Sequence, residues 1–244
     1  MSFRKNLTAL VASTAISLGA ATAGTARASN ITYDSGGSPI ERQSEEMPAW
    51  ENITRMNTPR ISLAGATDNN GFIYALGGIG GGLRRLSSVE KYNPETNTWE
   101  FVAPMETPRA WFNAINVDGF IYAVGGSHSS GSQIGSIERY NPYNDTWKTS
   151  KHELNLPRNE LGLAKGVDNK IYAIGGTIDA SGEKTSTVEV FDTHNPSLGW
   201  QLLPHSLSSP RTFLGAGTDK LGRIYAIGGL ENSNTVERFD PSNP

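Results

Sequence analysis

Ser62, Trp111, Glu160 and Phe213 each stand two residues beyond the arginine of a Pro-Arg pair, the four pairs being Pro59-Arg60, Pro108-Arg109, Pro157-Arg158 and Pro210-Arg211. Two aromatic faces flanking a hydroxyl and a carboxylate are the groups that hold a sugar ring or a peptide side chain, the rings by stacking and the polar groups by orienting hydrogen bonds. Asn159 and Thr212, one residue earlier in their segments, add an amide and a second hydroxyl. His128, Asp179 and Glu231 stand just beyond three Gly-Gly pairs and complete the set of candidate ligand-binding residues. Alternatively, Trp111 and Phe213 plug a narrow channel and touch no ligand.

Catalytic and metal chemistry find little here. His128, His152, His194 and His205 fall at no metal-ligand spacing, and the chain has no cysteine, so neither a metal nor a cofactor is expected. The glycine-rich run at 77–85, GGIGGGLRR, matches neither a phosphate-cradling P-loop nor G-x-G-x-x-G, and no helix follows it. No G-x-S-x-G elbow occurs. No residue is assigned a catalytic role.

The elements that must position the candidates are strands. Phe120 to Val124 is aromatic and β-branched and stops at Gly125-Gly126; Ser136 to Tyr140 is a second such run and stops at Asn141-Pro142; Thr146-Trp147 opens a third. Adjacent glycines at a strand end mean either positive φ or a neighbouring segment too close for a Cβ. The pattern is spelled four times. Glycine pairs at Gly77-Gly78, Gly125-Gly126, Gly175-Gly176 and Gly228-Gly229 each follow Ile-Tyr-Ala and one apolar residue, at spacings of 48, 50 and 53 residues. Beyond them come Val89-Glu90, Ile137-Glu138, Val188-Glu189 and Val236-Glu237, then Tyr92, Tyr140, Phe191 and Phe239. Trp50, Trp99, Trp147 and Trp200 end the units. A repeat near 50 residues with four short strands and no helical period is the signature of a propeller blade.

These residues resemble the Kelch repeat: the double glycine, the spaced Tyr and Trp and the Pro-Arg opening stand where that family has them, over about residues 48 to 241. The third unit departs only in Phe191-Asp192-Thr193, where the others follow the aromatic with Asn-Pro or Asp-Pro. The resemblance implies an all-β, Kelch-type β-propeller of four four-stranded blades, in which glycines, arginines and tryptophans are scaffold. A ring of matched units seats an asymmetric ligand where the units disagree, which is why the candidates are the variable residues.

The ends of the chain carry further expectations. Arg4 and Lys5, the mildly apolar run Leu7 to Ala23 and Ala26-Arg27-Ala28 read as a secretory signal over 1–28 cleaved after Ala28, which places the product in the periplasm or outside the cell. Residues 29–47 read as a flexible leader and 48–244 as the propeller. Removing Arg4, Lys5 and Arg27 from 21 basic residues leaves 18 against 24 acidic ones, a net charge of −6. That sign disfavours nucleic acid. No segment of the mature chain is apolar enough to span a bilayer. Closure without disulfides is expected from the strand around Trp50 pairing with the last inner set, which would put Trp111 and Phe213 across the axis from one another. Otherwise the chain is part of a larger ring, or a half-ring that self-associates. The function expected is a binding module that captures a protein, peptide or glycan on one loop face. The alternative is a periplasmic carbohydrate-acting enzyme, from a resemblance in fold and export to Kelch mutarotases acting on sialic acid, with no catalytic residue individually matched.

Overall fold

A computed structural model describes residues 32–33, 39–40, 50–230 and 234–243. The signal over 1–28, most of the leader and Glu231 lie outside the described residues. Within the leader, β1 (Thr32–Tyr33) and β2 (Pro39–Ile40) form a two-residue antiparallel pair, an element the sequence did not announce. They belong to a unit, Ala15–Thr54, separate from the one that carries the repeats from Arg55 onward.

Each repeat is an antiparallel meander. Blade 1 is β3 (Ala64–Thr67), β4 (Ile73–Leu76), β5 (Val89–Asn93) and β6 (Thr98–Val102). Blade 2 is β7 (Asn113–Val117), β8 (Phe120–Val124), β9 (Ile137–Asn141) and β10 (Thr146–Thr149). Blade 3 is β11 (Gly162–Lys165), β12 (Lys170–Ile174), β13 (Val188–Asp192) and β14 (Trp200–Leu202). Blade 4 is β15 (Gly215–Thr218), β16 (Ile224–Ile227) and β17 (Val236–Phe239). In blades 2 and 3 the second strand reads as a continuous apolar run because neighbouring blades cover both its faces; Ile121, Ala123 and Val124 are wholly buried.

The innermost strands of successive blades lie side by side, β3 by β7, β7 by β11 and β11 by β15. One backbone bond repeats at each junction: Gly78 donates to the Arg109 carbonyl, Gly126 to Arg158 and Gly176 to Arg211, at 2.8–2.9 Å. The glycine pairs satisfy both readings of the sequence at once. Gly125 sits at φ +70, and a Cβ on it would lie 2.5 Å from the Arg158 carbonyl oxygen. Aromatics fill the wedges between blades: Trp147 packs on Tyr140 with centroids 5.0 Å apart, and its indole N–H reaches back 2.8 Å to the Ala103 carbonyl of blade 1.

Two particulars of the expectation are corrected. Among the described residues blade 4 has three strands rather than the four expected. Residues 50–60 form no strand, and Trp50 is fully exposed. The reason is local. Trp99, Trp147 and Trp200 each follow their partner strand through a short turn that fixes the register, as at Asn93, whose side chain accepts from the Glu95 amide. Trp50 precedes every blade, and no such turn ties it to β17. Among the described residues no junction bond joins blade 4 to blade 1. The outward faces reflect this: Val236 is 57% exposed where Val89, Ile137 and Val188 are at most 9%, and Ile73 is 41% exposed where Ile121, Ile171 and Ile224 are at most 3%.

Candidate functional site

The four Pro-Arg arginines are buried clasps. Arg60, Arg109 and Arg158 pair with Glu90, Glu138 and Glu189 at 2.5–2.6 Å, with no side chain of the six exposed. Arg211 makes the same pair with Glu237. The second guanidinium arm donates to the carbonyl of the first glycine of the blade's own pair, Gly77, Gly125, Gly175 or Gly228. Each carboxylate also accepts backbone amides from the segment before its arginine, as Glu90 does from Asn57 and Thr58. Burial pushes the Glu90 carboxyl up, but the Asn57 amide and the Arg60 guanidinium outweigh it and hold it below its usual value. Burial likewise pulls Arg109 and Arg158 down, opposed by their carboxylate partners. These charges are consumed in holding the turns, and none is free for a ligand.

Two residues past each clasp the chain turns inward. Ser62, Trp111, Glu160 and Phe213 all adopt left-handed backbone, φ 53–56, with no glycine among them. Their backbones form one hydrogen-bonded run: Trp111 donates to the Ser62 carbonyl at 3.1 Å, Glu160 to Trp111 at 2.7 Å and Phe213 to Glu160 at 2.9 Å. Left-handed conformation costs an ordinary residue about 1–2 kcal/mol, and it persists here because the clasp and this run hold both ends of the turn. The four form an inner rim, and Glu160 stands between the two aromatics along it.

The loop ends of blades 3 and 4 border an open cavity of about 270 Å³ beside that rim, with Asn159, Glu160, Asp179, Thr212 and Phe213 in its wall. One Glu160 oxygen accepts from the Thr177 hydroxyl at 2.8 Å and the Thr212 hydroxyl at 2.7 Å, and these hydroxyls are 3.1 Å apart. The carboxylate is held by groups from two blades while the cavity remains open to it. Asn159 is buried, and its Oδ1 has no hydrogen-bond partner among the described residues. A buried acceptor without a partner is costly unless a ligand or water supplies the donor. Gln133 of blade 2 closes one side, its amide donating to the Asp179 carbonyl at 2.8 Å. Asp179 itself is used within its loop: the Glu183 amide and the Ser181 hydroxyl hold its carboxyl below the usual value.

The structure thus brings together five of the nine candidates and separates the others. Trp111 is not in the cavity wall. Its ring carries the Arg85 guanidinium 4.5 Å from the centroid, while Phe213 is exposed at the cavity mouth. Ser62 begins the rim, away from the cavity. His128 shapes the blade 2 loop, its backbone N–H bonded to the Ser132 carbonyl. Glu231 is outside the described residues. Gln133 and Lys184 line the cavity without having been singled out. Their signal is that they stand at or beyond the Gly-Gly turns, where the four repeats differ in length and residue. Among the described residues no helix is long and apolar enough to cross a membrane.

The Kelch motif matches residues 63–106, 108–150 and 166–196. The Kelch repeat and BTB domain-containing protein 1 of Ectromelia virus (strain Moscow) is 32% identical over 194 residues, covering 78% of this chain and 32% of that protein. Kelch-like protein 41a of Danio rerio is 44% identical over 70 residues, 28% of this chain and 11% of that protein. The chain therefore spans about a third or less of the length of these relatives. Among solved structures, one titled "Structure of YjhT" aligns with a TM-score of 0.64 and 20% identity over 74% of this chain and 63% of that one, a likeness of fold. With the Arg–Glu clasp, the double-glycine turn and the three-residue apolar lead-in repeated blade after blade, the chain belongs to the Kelch-repeat β-propeller family.

Proposed function

We propose that this chain is an exported binding module whose ligand, a protein, peptide or glycan, is captured in the cavity at the loop ends of blades 3 and 4. The observation that carries this reading is the pairing of a Glu160 carboxylate, fixed by Thr177 and Thr212, with the buried Asn159 Oδ1 that lacks a donor. Both groups accept hydrogen bonds, and Phe213 offers an apolar face beside them. The ligand group that fits is an N–H or O–H donor on an apolar stem. Kelch propellers in general bind proteins, which puts a peptide segment bearing an amine, guanidinium or amide first.

A peptide and glycan array probed with the whole protein identifies the ligand, and Glu160→Gln and Asn159→Ala then test the site. Each substitution should weaken binding by roughly 1–3 kcal/mol while thermal melting moves little. A ligand bound equally well by both variants would remove the cavity as its site.

A further inference from the structure

One half-buried arginine on the loop face lacks an acceptor. The four clasp arginines each face a glutamate, and Arg223 faces Asp219. Arg85 is half-buried, its Nε is buried without a partner, and among the described residues its guanidinium makes no ion pair. What holds it is the Trp111 ring, whose centroid lies 4.5 Å from the guanidinium carbon. Drawing a cation partly out of water with no anion beside it is unfavourable, and a ring face offsets only part of that cost.

The repeat shows what this position does elsewhere. Arg85, Gln133 and Lys184 are equivalent, each bridged to the residue just past its blade's glycine pair, Ile79, Ser127 or Thr177. Gln133 and Lys184 line the cavity, and Gln133 reaches forward to the Asp179 carbonyl of the next blade. Arg85 also reaches forward, to Trp111, and finds a ring there instead of an acceptor. Its surroundings favour an anion. The loops 79–88 and 127–136 hold Arg84, Arg85 and His128 and no carboxylate, whereas the blade 3 loop 177–187 holds Asp179 and Glu183 against Lys184. The two sides meet on the rim: the Glu160 N–H donates to the Trp111 carbonyl at 2.7 Å, so the platform under Arg85 adjoins the carboxylate of the cavity.

A carboxylate is the anion that fits. A guanidinium offers paired N–H donors that match its two oxygens, and one cation balances its one charge, whereas a phosphate dianion would be only half balanced by Arg85. We propose that Arg85, carried on Trp111, is a subsite for an aspartate or glutamate side chain of a peptide whose neighbouring basic or amide side chain enters the cavity. The peptide character of the ligand rests on the cavity reading above; the carboxylate contact rests on Arg85 alone.

Two measurements separate the subsite from the cavity. In heteronuclear NMR of the whole protein, the Arg85 Nε–H signal, identified by its loss in Arg85→Lys, should shift on titration with acetyl-Gly-Glu-Gly amide and stay in place with acetyl-Gly-Gln-Gly amide. An unmoved signal, or equal shifts with both peptides, overturns the subsite whatever the cavity binds. On a peptide array, the protein should select sequences with an acidic residue close to a basic one. Arg85→Gln should weaken those peptides about tenfold or more by dropping the acidic preference while keeping the basic one, with melting nearly unchanged. Glu160→Gln should do the reverse. Selection of the basic residue alone, or of phosphorylated residues over Asp and Glu, overturns the carboxylate subsite and leaves the cavity standing. Selection of the acidic residue alone supports the subsite and removes the cavity, and selection of neither removes both.

Discussion

The Arg158 guanidinium lies 2.6 Å from the Glu189 carboxylate with neither side chain exposed, and its other arm donates to the Gly175 carbonyl at 3.0 Å. A single ion pair thus ties the opening of blade 3 to its double-glycine turn and to its third strand. Removing one partner leaves the other charge buried and uncompensated. Glu189→Ala should cost about 3–5 kcal/mol in chemical denaturation. Replacing both residues with apolar ones of similar volume should cost much less, and a double variant as unstable as the single one would contradict this account.

The glycine at 125 combines left-handed backbone with contact across the blade junction, so an added methyl meets two penalties. Gly71 has φ +85 and open space around its Cβ position, which isolates the first penalty. Gly71→Ala should lose about 1–2 kcal/mol. Gly125→Ala should lose clearly more, because the Arg158 carbonyl must move and carry blade 3 with it. Equal losses in thermal melting would show that the junction is not held as closely as 2.5 Å implies.

Acid should loosen blade 4 through Asp219. Its carboxyl is lowered to about 2, chiefly by the Arg223 guanidinium, with the Arg223 and Leu221 amides and the Tyr225 hydroxyl also donating to it. A carboxyl lower in the folded than in the unfolded chain stabilises fully above the unfolded value, about 3.9, and loses that contribution as pH falls toward 2. Asp219→Asn should therefore flatten the decline of melting temperature between about pH 4 and pH 2. An unchanged slope would show that Asp219 is not bonded as described.

Export with cleavage after Ala28 predicts a mature chain that begins at Ser29. An intact-mass measurement on periplasmic or secreted material checks it directly. A soluble cytoplasmic product that keeps residues 1–28 would end the export proposal and return the net charge of the working protein to −3.

What the sequence by itself determined is the repeated unit. Strand, double glycine, Glu, aromatic and tryptophan recur because each blade meets the same neighbours, and the same packing problem selects the same residue four times. The candidate residues were legible for the complementary reason, that they are the places where repeats differ. Tertiary structure decided how those differences combine. Thr212 reaches Glu160 across 52 positions of sequence because the blade 3–blade 4 junction superposes their turns, and Trp111 is turned to Arg85 instead. The left-handed backbone of the rim is equally invisible in a row of Ser, Trp, Glu and Phe, since it is imposed by the clasp and the run of hydrogen bonds on either side. Closure, too, escaped the pattern. Trp50 matches the tryptophans that end the other units, yet residues 50–60 form no strand, since pairing depends on a partner edge and on chain entropy, neither of which is written in the repeat.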